Sequence, residues 1–199
     1  CFLVDFSGSM VGLKIELAIQ LAMAFSESCD LLDIPHEVLG FTTDYGAHFR
    51  CPSKSPAGVG YSRWEPLRHY ILKTFEQKFS QTKHAYANAL GLGLDDNADG
   101  EAVLWAARRL VQRQEQELKL IVLSDGYPNV AGGKDSAMRA HLKGAVQRCM
   151  TAGIETIGLG IMSPAVADFY PDHVVINNLD DLVSGGYRKL AEIFRQSSH

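Results

Sequence analysis

The chain alternates between short uninterrupted apolar runs and longer segments in which apolar residues recur every three to four positions. Uninterrupted runs are typical of strands that are buried on both faces, and the spaced pattern is typical of helices that pack on a core. Strands are predicted at residues 1–4, 36–41, 118–123, 154–161 and 173–176. Strands that alternate with helices indicate an α/β fold, with a doubly wound, mostly parallel central sheet flanked by helices.

Helical spacing is clearest after the first strand, where the pattern predicts a helix that runs to about residue 32 and ends at the Asp33-Ile34-Pro35 turn. Further helices are predicted at 67–79, at 83–92, directly after Asp99, over a stripe from Leu142 to Met150 that Gly153 closes, and from Asp180 onward.

Neither pattern holds between residues 45 and 65. Gly, Pro, Ser and Lys dominate there, with Trp64 near the end. A loop of this length in a compact domain is usually functional or mobile. We therefore predict a single domain over residues 1–199 with an irregular insertion at about 45–66. Two interpretations of the insertion stay open, a partner-binding surface that includes Trp64 and a disordered surface loop.

Length and charge narrow the class of protein. A chain of 199 residues suits one domain, and its net charge of −4 argues against general nucleic-acid binding. No apolar run approaches the length of a membrane span, so no membrane partner is expected. The chain begins at Cys1, inside a predicted strand and without methionine. We therefore expect it to be the C-terminal fragment of a longer protein.

The four cysteines have no Cys-x-x-Cys spacing, so no zinc site is predicted. Cys1, Cys29 and Cys149 lie within apolar patterns, which predicts buried thiols. Unpaired buried thiols favour a reducing, cytoplasmic setting.

Candidate chemistry lies at the ends of two predicted strands. Asp5, Ser7 and Ser9 follow the first strand at every second position, and Asp125 follows the strand at 118–123. The carboxyl ends of parallel strands meet at one edge of a sheet, where ligands bind, so these side chains are expected to converge. Carboxylate and hydroxyl oxygens are ligands that suit Mg²⁺. An ordinary polar turn after a strand is the alternative interpretation.

Two further polar segments precede or follow predicted elements. Asp99 stands just before a clear helix, where it has two interpretations that do not exclude each other. It caps the helix by accepting backbone N–H bonds, or it points toward the first loop as a metal ligand. Thr42 and Thr43 follow the second strand and are interpreted as loop residues only.

Together these motifs resemble the von Willebrand factor A (VWA) family, whose metal-ion-dependent adhesion site (MIDAS) is built from three loops. Asp5, Ser7 and Ser9 match the first metal loop, and Asp125 matches the third. The family has a threonine in the second loop, where this chain has Asp99. The resemblance therefore implies a Mg²⁺ site, with Mn²⁺ or another divalent cation as alternatives. It leaves open whether Asp99 coordinates the ion directly or through water.

A narrower resemblance is to the C-terminal domain of the CobT subunit of aerobic cobaltochelatase. The stretches that carry it are Asn97-Ala98-Asp99-Gly100-Glu101-Ala102-Val103-Leu104-Trp105-Ala106, Glu37-Val38-Leu39-Gly40-Phe41-Thr42-Thr43, Leu67-Arg68-His69-Tyr70 and Ser124-Asp125-Gly126-Tyr127-Pro128. The resemblance implies a non-catalytic subunit that works with a CobS-like AAA+ ATPase and a CobN-like large subunit to insert cobalt into a corrin ring. We expect an Asp or Glu of a partner to complete the metal shell.

Two other functions compete with this interpretation. One is a CobT-like adaptor of another MoxR/CobS-type AAA+ system with no role in cobalamin synthesis, which would keep the same metal site. The other is a Mg²⁺-dependent phosphoryl-transfer enzyme built on Asp5. Against the enzyme, Ser7 stands where a phosphatase of the haloacid-dehalogenase type needs a second Asp, and the sequence has no Gly-x-x-x-x-Gly-Lys phosphate loop.

Overall fold

A computed structural model of the protein describes residues 1–44, 66–130 and 134–181, together with the isolated positions 188 and 191. Its elements in chain order are β1 (Phe2–Asp5), α1 (Leu13–Leu31), β2 (Val38–Thr43), β3 (Leu67–Lys73), α2 (Phe79–Ala89), α3 (Asp99–Leu110), β4 (Leu118–Ser124), α4 (Asp135–Thr151), β5 (Ile154–Ile161), β6 (Asp172–Ile176) and α5 (Leu179–Asp181). Short 3₁₀ turns at Gly8–Met10 and Ala165–Asp168 follow β1 and β5.

The described strands form one sheet in the order β3-β2-β1-β4-β5-β6. β1 pairs in parallel with β2 on one side and with β4 on the other, and β4, β5 and β6 continue in parallel. Only β3 pairs antiparallel, at the β2 edge. The predicted doubly wound, mostly parallel sheet is therefore confirmed. Because the chain winds away from β1 in both directions, the carboxyl ends of β1 and β4 flank the topological switch point.

Helices cover both faces of the four inner strands β2, β1, β4 and β5, whose buried residues divide between two clusters. Val4 and Leu123 lie in a core cluster with residues of α1 and α2. Leu3 and Val122 lie in a second cluster with residues of α3 and α4. Strands covered on both faces explain why the apolar runs in the sequence have no polar alternation.

The predicted helix at 67–79 is wrong, because its first seven residues form β3. Leu67, Tyr70 and Ile71 have the spacing of a helix face, but they also belong to residue types that fit a pleated surface. Backbone pairing with β2 decides the outcome, a long-range interaction that local spacing does not reveal. The next helix, α2, begins at Phe79, four residues earlier than predicted.

Other boundaries agree more closely. α1 ends within one residue of its predicted end, and Gly153 follows α4 with a φ of +79°, as expected for a closing glycine. Thr42 and Thr43 are buried within β2, so their interpretation as loop residues is wrong. The segment 45–65, with Trp64, lies outside the described residues, and a role for it stays a prediction.

The cysteine predictions hold for two of three residues. Cys29 and Cys149 are buried, and burial raises the pKa of their thiols to about 12 and about 11. Cys1 is only half-buried, so the prediction of a buried thiol is wrong there. In the described part of the chain, no helix is both long and apolar enough to cross a membrane.

Candidate functional site

The loop after β1 carries three predicted site residues to the carboxyl edge of the sheet. Asp5 ends β1 and is fully buried, with 0% of its surface exposed. The Ser7 backbone N–H donates to Asp5 Oδ1 at 2.8 Å, so the loop turns back over the carboxylate. The Gly8 N–H donates to the Asp95 carbonyl at 2.6 Å, which ties this loop to the segment before α3. The turn that follows brings Ser9 over the same edge.

Hydroxyl groups connect this loop to the end of β4. Ser7 Oγ lies 3.0 Å from Ser9 Oγ, and Ser9 Oγ donates to Asp125 Oδ1 at 2.6 Å. Ser124 Oγ donates to Asp5 Oδ2 at 2.8 Å. The structure therefore brings together the four residues that the sequence placed at one point. It adds Ser124, whose contact with β1 follows from the pairing of the two strands.

Asp99 lies at the first turn of α3 with a buried side chain. The residue that caps α3 is Ala98, with no side-chain hydrogen bond, so the prediction of an Asp99 N-cap is wrong. Instead, Asp99 Oδ2 accepts a bond from Asn97 Nδ2 at 2.8 Å. A carboxylate in a first turn is also favoured by the positive end of the helix dipole.

Burial raises the pKa values of two of these carboxyl groups. Burial raises the pKa of Asp5 to about 6; the nearby charge of Asp125 adds to the rise, while hydrogen bonds from Ser7 and Ser124 oppose it. Burial raises the pKa of Asp99 well above its ordinary value, and the charge of Asp5 raises it further. These carboxyl groups therefore disfavour ionisation unless a positive charge lies beside them.

The second loop of the site is held by residues whose role the sequence did not reveal. Thr42 Oγ1 donates to the Asp96 carbonyl and accepts the Asp95 N–H, both at 3.1 Å. Thr43 Oγ1 accepts the Asp96 N–H at 3.1 Å. These bonds fasten the segment before α3 to β2. Two consecutive threonines at a strand end were the available signal.

Lys14 is another residue that the sequence did not single out. It is the second residue of α1, and its Nζ donates to Asp125 Oδ2 and to the Ser9 carbonyl, the latter at 3.2 Å. The ammonium group therefore binds one of the carboxylates that were predicted as metal ligands.

The donor set fits a hard divalent cation. Ligands at right angles around Mg²⁺, each about 2.1 Å from the ion, lie about 3.0 Å apart. The two serine hydroxyl oxygens have this spacing. Among the described residues, no group of three or more His, Cys, Asp or Glu side chains is arranged to hold a metal ion by itself. Metal binding at this edge would therefore depend on serine hydroxyls as well as carboxylates.

This sheet, together with the Asp-x-Ser-x-Ser loop at its switch point and Asp125 after β4, defines the chain as a VWA-type domain. Solved structures of this fold are similar to it. BatB from Bacteroides thetaiotaomicron matches with a TM-score of 0.58 and 15% identity, over 96% of this chain and 97% of that one. The pilus adhesin SpaC from Lactobacillus rhamnosus GG matches with a TM-score of 0.61 and 13% identity, over 98% of this chain.

A third similar structure is proximal thread matrix protein 1 from the mussel byssus, described with a zinc-occupied MIDAS motif. Its TM-score is 0.56 and its identity 15%, over 92% of this chain. The chain spans 30% of SpaC and 42% of the byssus protein. At such identities these likenesses show the fold alone.

The sequence itself gives the narrower assignment. Residues 1–196 match the family described as the cobalamin biosynthesis protein CobT VWA domain. The chain belongs to this family, and the resemblance to CobT drawn from its sequence motifs is confirmed.

Proposed function

We propose that the carboxyl edge of β1 and β4 binds a divalent cation, Mg²⁺ or alternatively Mn²⁺ or another divalent ion. Asp5, Ser7, Ser9 and Asp125 would hold it, since their oxygens are hydrogen-bonded to one another or to adjoining groups at this edge. Asp99 would add negative charge beside the ion, directly or through water. The raised pKa values of Asp5 and Asp99 support the proposal, because a bound cation would stabilise the ionised carboxylates.

The site would suit docking to a partner protein. Serine hydroxyls carry no charge, so the cation would supply an electrophilic position for a carboxylate of a partner. Ser9 is exposed at the surface, whereas Asp5 and Asp99 are buried beneath it. The oxygens therefore extend from the core to the surface, the arrangement that a partner's Asp or Glu would need in order to reach a bound ion.

We infer that this domain serves a CobT-like cobaltochelatase subunit. Its partners would be a CobS-like AAA+ ATPase, whose motion it would transmit, and a CobN-like large subunit that inserts cobalt into a corrin ring. Cytoplasmic work in such a complex is consistent with buried free thiols. The observation that carries the proposal is the convergence of Asp5, Ser7, Ser9 and Asp125 in a chain of the CobT family.

The experiment compares association of this chain and its Asp5→Ala variant with a CobS-like ATPase, in Mg²⁺ and in EDTA. We expect binding that requires both Mg²⁺ and Asp5, with at least a tenfold loss in the variant. Glu27→Ala is the matched control, because it removes an exposed carboxylate from the C-terminal half of α1. Binding that is indifferent to both Mg²⁺ and Asp5 would contradict a docking role for the site.

A second assay separates cobaltochelatase from another AAA+ system. Cobalt insertion into a corrin ring is measured after the CobN-like subunit is added to the ATPase and the longer CobT-like protein. Cobalt insertion that fails with the Asp5→Ala form supports the chelatase role. Mg²⁺-dependent ATPase binding without cobalt insertion favours an adaptor that serves a different machine.

A further inference from the structure

A basic side chain occupies the outer side of the candidate metal site. Lys14 extends from the first turn of α1 across the loop, and its Nζ donates to Asp125 Oδ2 and to the Ser9 carbonyl. The Lys14 side chain is 32% exposed, whereas that of Asp125 is 2% exposed. The ion pair therefore has one end fixed in the fold and the other on a flexible stem that reaches solvent.

Lys14 is the charged donor in an otherwise neutral set of hydrogen bonds. Asp5 accepts from the Ser7 N–H and from the Ser124 hydroxyl. Asp125 accepts from the Ser9 hydroxyl on Oδ1 and from Lys14 on Oδ2. Hydroxyl groups can rotate and turn their lone pairs toward a cation, but an ammonium group has no lone pair. Lys14 therefore cannot become a ligand.

The position of Lys14 in α1 also favours the ion pair between its ammonium group and the Asp125 carboxylate. It lies in the first turn of α1, where the positive end of the helix dipole disfavours a cation. The Asp125 carboxylate offsets this unfavourable interaction. A divalent cation that bound Asp125 would have to displace the Lys14 ammonium group or lie next to it. Two positive charges that contact the same carboxylate repel each other.

We propose that Lys14 is a tethered cation that competes with the divalent ion for Asp125 and lowers the affinity of the site. Binding of the ion displaces the Lys14 ammonium group from Asp125 toward solvent. The affinity of the site for the ion is therefore reduced by the free energy needed to break the Lys14–Asp125 ion pair. This inference rests on the proposed metal site. If Lys14 competes in this way, the divalent ion binds reversibly, and the Lys14 ammonium group pairs with Asp125 again when the ion leaves.

The test measures Mg²⁺ and Mn²⁺ affinity by isothermal titration calorimetry at low ionic strength for the wild-type chain and Lys14→Met. Methionine keeps an unbranched stem and removes the charge. We expect about tenfold tighter binding, the scale of relieving one like charge near a protein surface. Lys14→Arg, which keeps the charge, should bind like the wild type.

Lys119→Met is the matched control, because it removes the same charge from another ion pair, with Glu155. Lys119 lies near the start of β4, five residues before Ser124 and therefore about 16 Å from the site. We expect its metal affinity to stay within about twofold of wild type. Far-UV circular dichroism checks that each variant is folded.

The outcomes separate the two proposals. If the wild type binds Mg²⁺ and Lys14→Met binds it equally or more weakly, competition by Lys14 is refuted while the metal site stands. If Lys14→Met and Lys119→Met tighten binding alike, the effect is one of net charge and the inference is also refuted. If neither wild type nor Lys14→Met binds a divalent ion, both the metal site and the competition are refuted.

Discussion

Replacement of Asp5 by asparagine is expected to stabilise the protein at neutral pH in EDTA, although it removes a predicted metal ligand. Asp5 is fully buried at the end of β1, and burial raises the pKa of its carboxyl group from 3.8 to about 6. At pH 7.5 the carboxylate is ionised in an environment that disfavours its charge. Asparagine has nearly the same shape and no charge to bury.

The magnitude follows from the difference between folded and unfolded chains. Because the pKa is raised, the folded chain binds a proton more tightly than the unfolded chain. This contribution to the free energy of unfolding is full below pH 3.8 and is lost as the pH rises through about 6, a change of about 3 kcal/mol. Asparagine keeps an acceptor for the Ser7 N–H, but its amide NH2 faces the Ser124 hydroxyl, so that bond must reverse direction and lose its charged acceptor, at a cost of about 1 kcal/mol. The net gain at pH 7.5 is therefore about 2 kcal/mol.

Urea unfolding of both proteins, followed by far-UV circular dichroism in EDTA from pH 4 to 8, gives the difference in stability at each pH. We expect Asp5→Asn to be slightly less stable than wild type at pH 4 and about 2 kcal/mol more stable at pH 7.5. Groups distant from Asp5 cancel in the difference, whereas Asp99 does not, because the charge of Asp5 raises its pKa; easier ionisation of Asp99 in the variant adds to the gain at pH 7.5. Glu27→Gln, which makes the same kind of substitution at an exposed position of α1, is the control variant.

A difference that does not change with pH would refute the reasoning, because Asp5 would then ionise in the fold without penalty. Unfolding in the presence of Mg²⁺ provides an independent test. At a concentration of about 100 times its dissociation constant it should stabilise the wild type by about 2.7 kcal/mol and leave Asp5→Asn unchanged. Stabilisation of both proteins alike would place the bound ion away from Asp5.

Two further predictions concern the hydrogen bonds of Thr42 at the carboxyl edge of the sheet and the Arg109–Glu37 ion pair at the opposite edge. Thr42→Val keeps a branched side chain but leaves the backbone groups of the loop before α3 without their partner, so we expect a loss of about 1–3 kcal/mol in urea unfolding and weaker Mg²⁺ binding by calorimetry. Thr42→Ser keeps the hydroxyl and should retain both, and equal losses in the two variants would exclude the hydrogen bonds as the cause. Arg109→Met should cost about 3–5 kcal/mol, because it leaves the Glu37 carboxylate buried without its cation. Adding Glu37→Gln in the same chain should recover part of that loss, and no recovery would contradict the assignment to a buried charge.

The sequence was informative where local pattern and tertiary environment agree. β1, β4 and β5 were predicted because strands covered on both faces are uninterrupted apolar runs. β3 was not, because at a sheet edge the pairing partner, and not the spacing of apolar residues, decides between strand and helix. The strand order, which sets the switch point, likewise depends on long-range pairing.

The site shows the same division. Asp5, Ser7 and Ser9 belong to one short motif, and Asp125 is found by the same logic at a second strand end. Lys14 contacts Asp125 across 111 positions of sequence, so no local pattern indicates the pair. Of the two interpretations of Asp99, the cap is wrong because helix ends are uncertain by a residue or two, and here the helix begins one residue earlier than that role requires.

Two fully buried carboxylates lie at opposite ends of the sheet, and they differ in whether their hydrogen-bond donors carry a positive charge. Glu37, just before β2, accepts two hydrogen bonds from the Arg109 guanidinium, at 2.9 and 2.8 Å, so its charge is balanced within the fold. Asp5, at the carboxyl edge, accepts from two neutral donors, the Ser7 N–H and the Ser124 hydroxyl. The protein would be more stable with a neutral residue at position 5, as the raised pKa of the Asp5 carboxyl group indicates. The destabilising charge at this edge supports the proposed cation site, because a cation from solution would balance Asp5 as Arg109 balances Glu37.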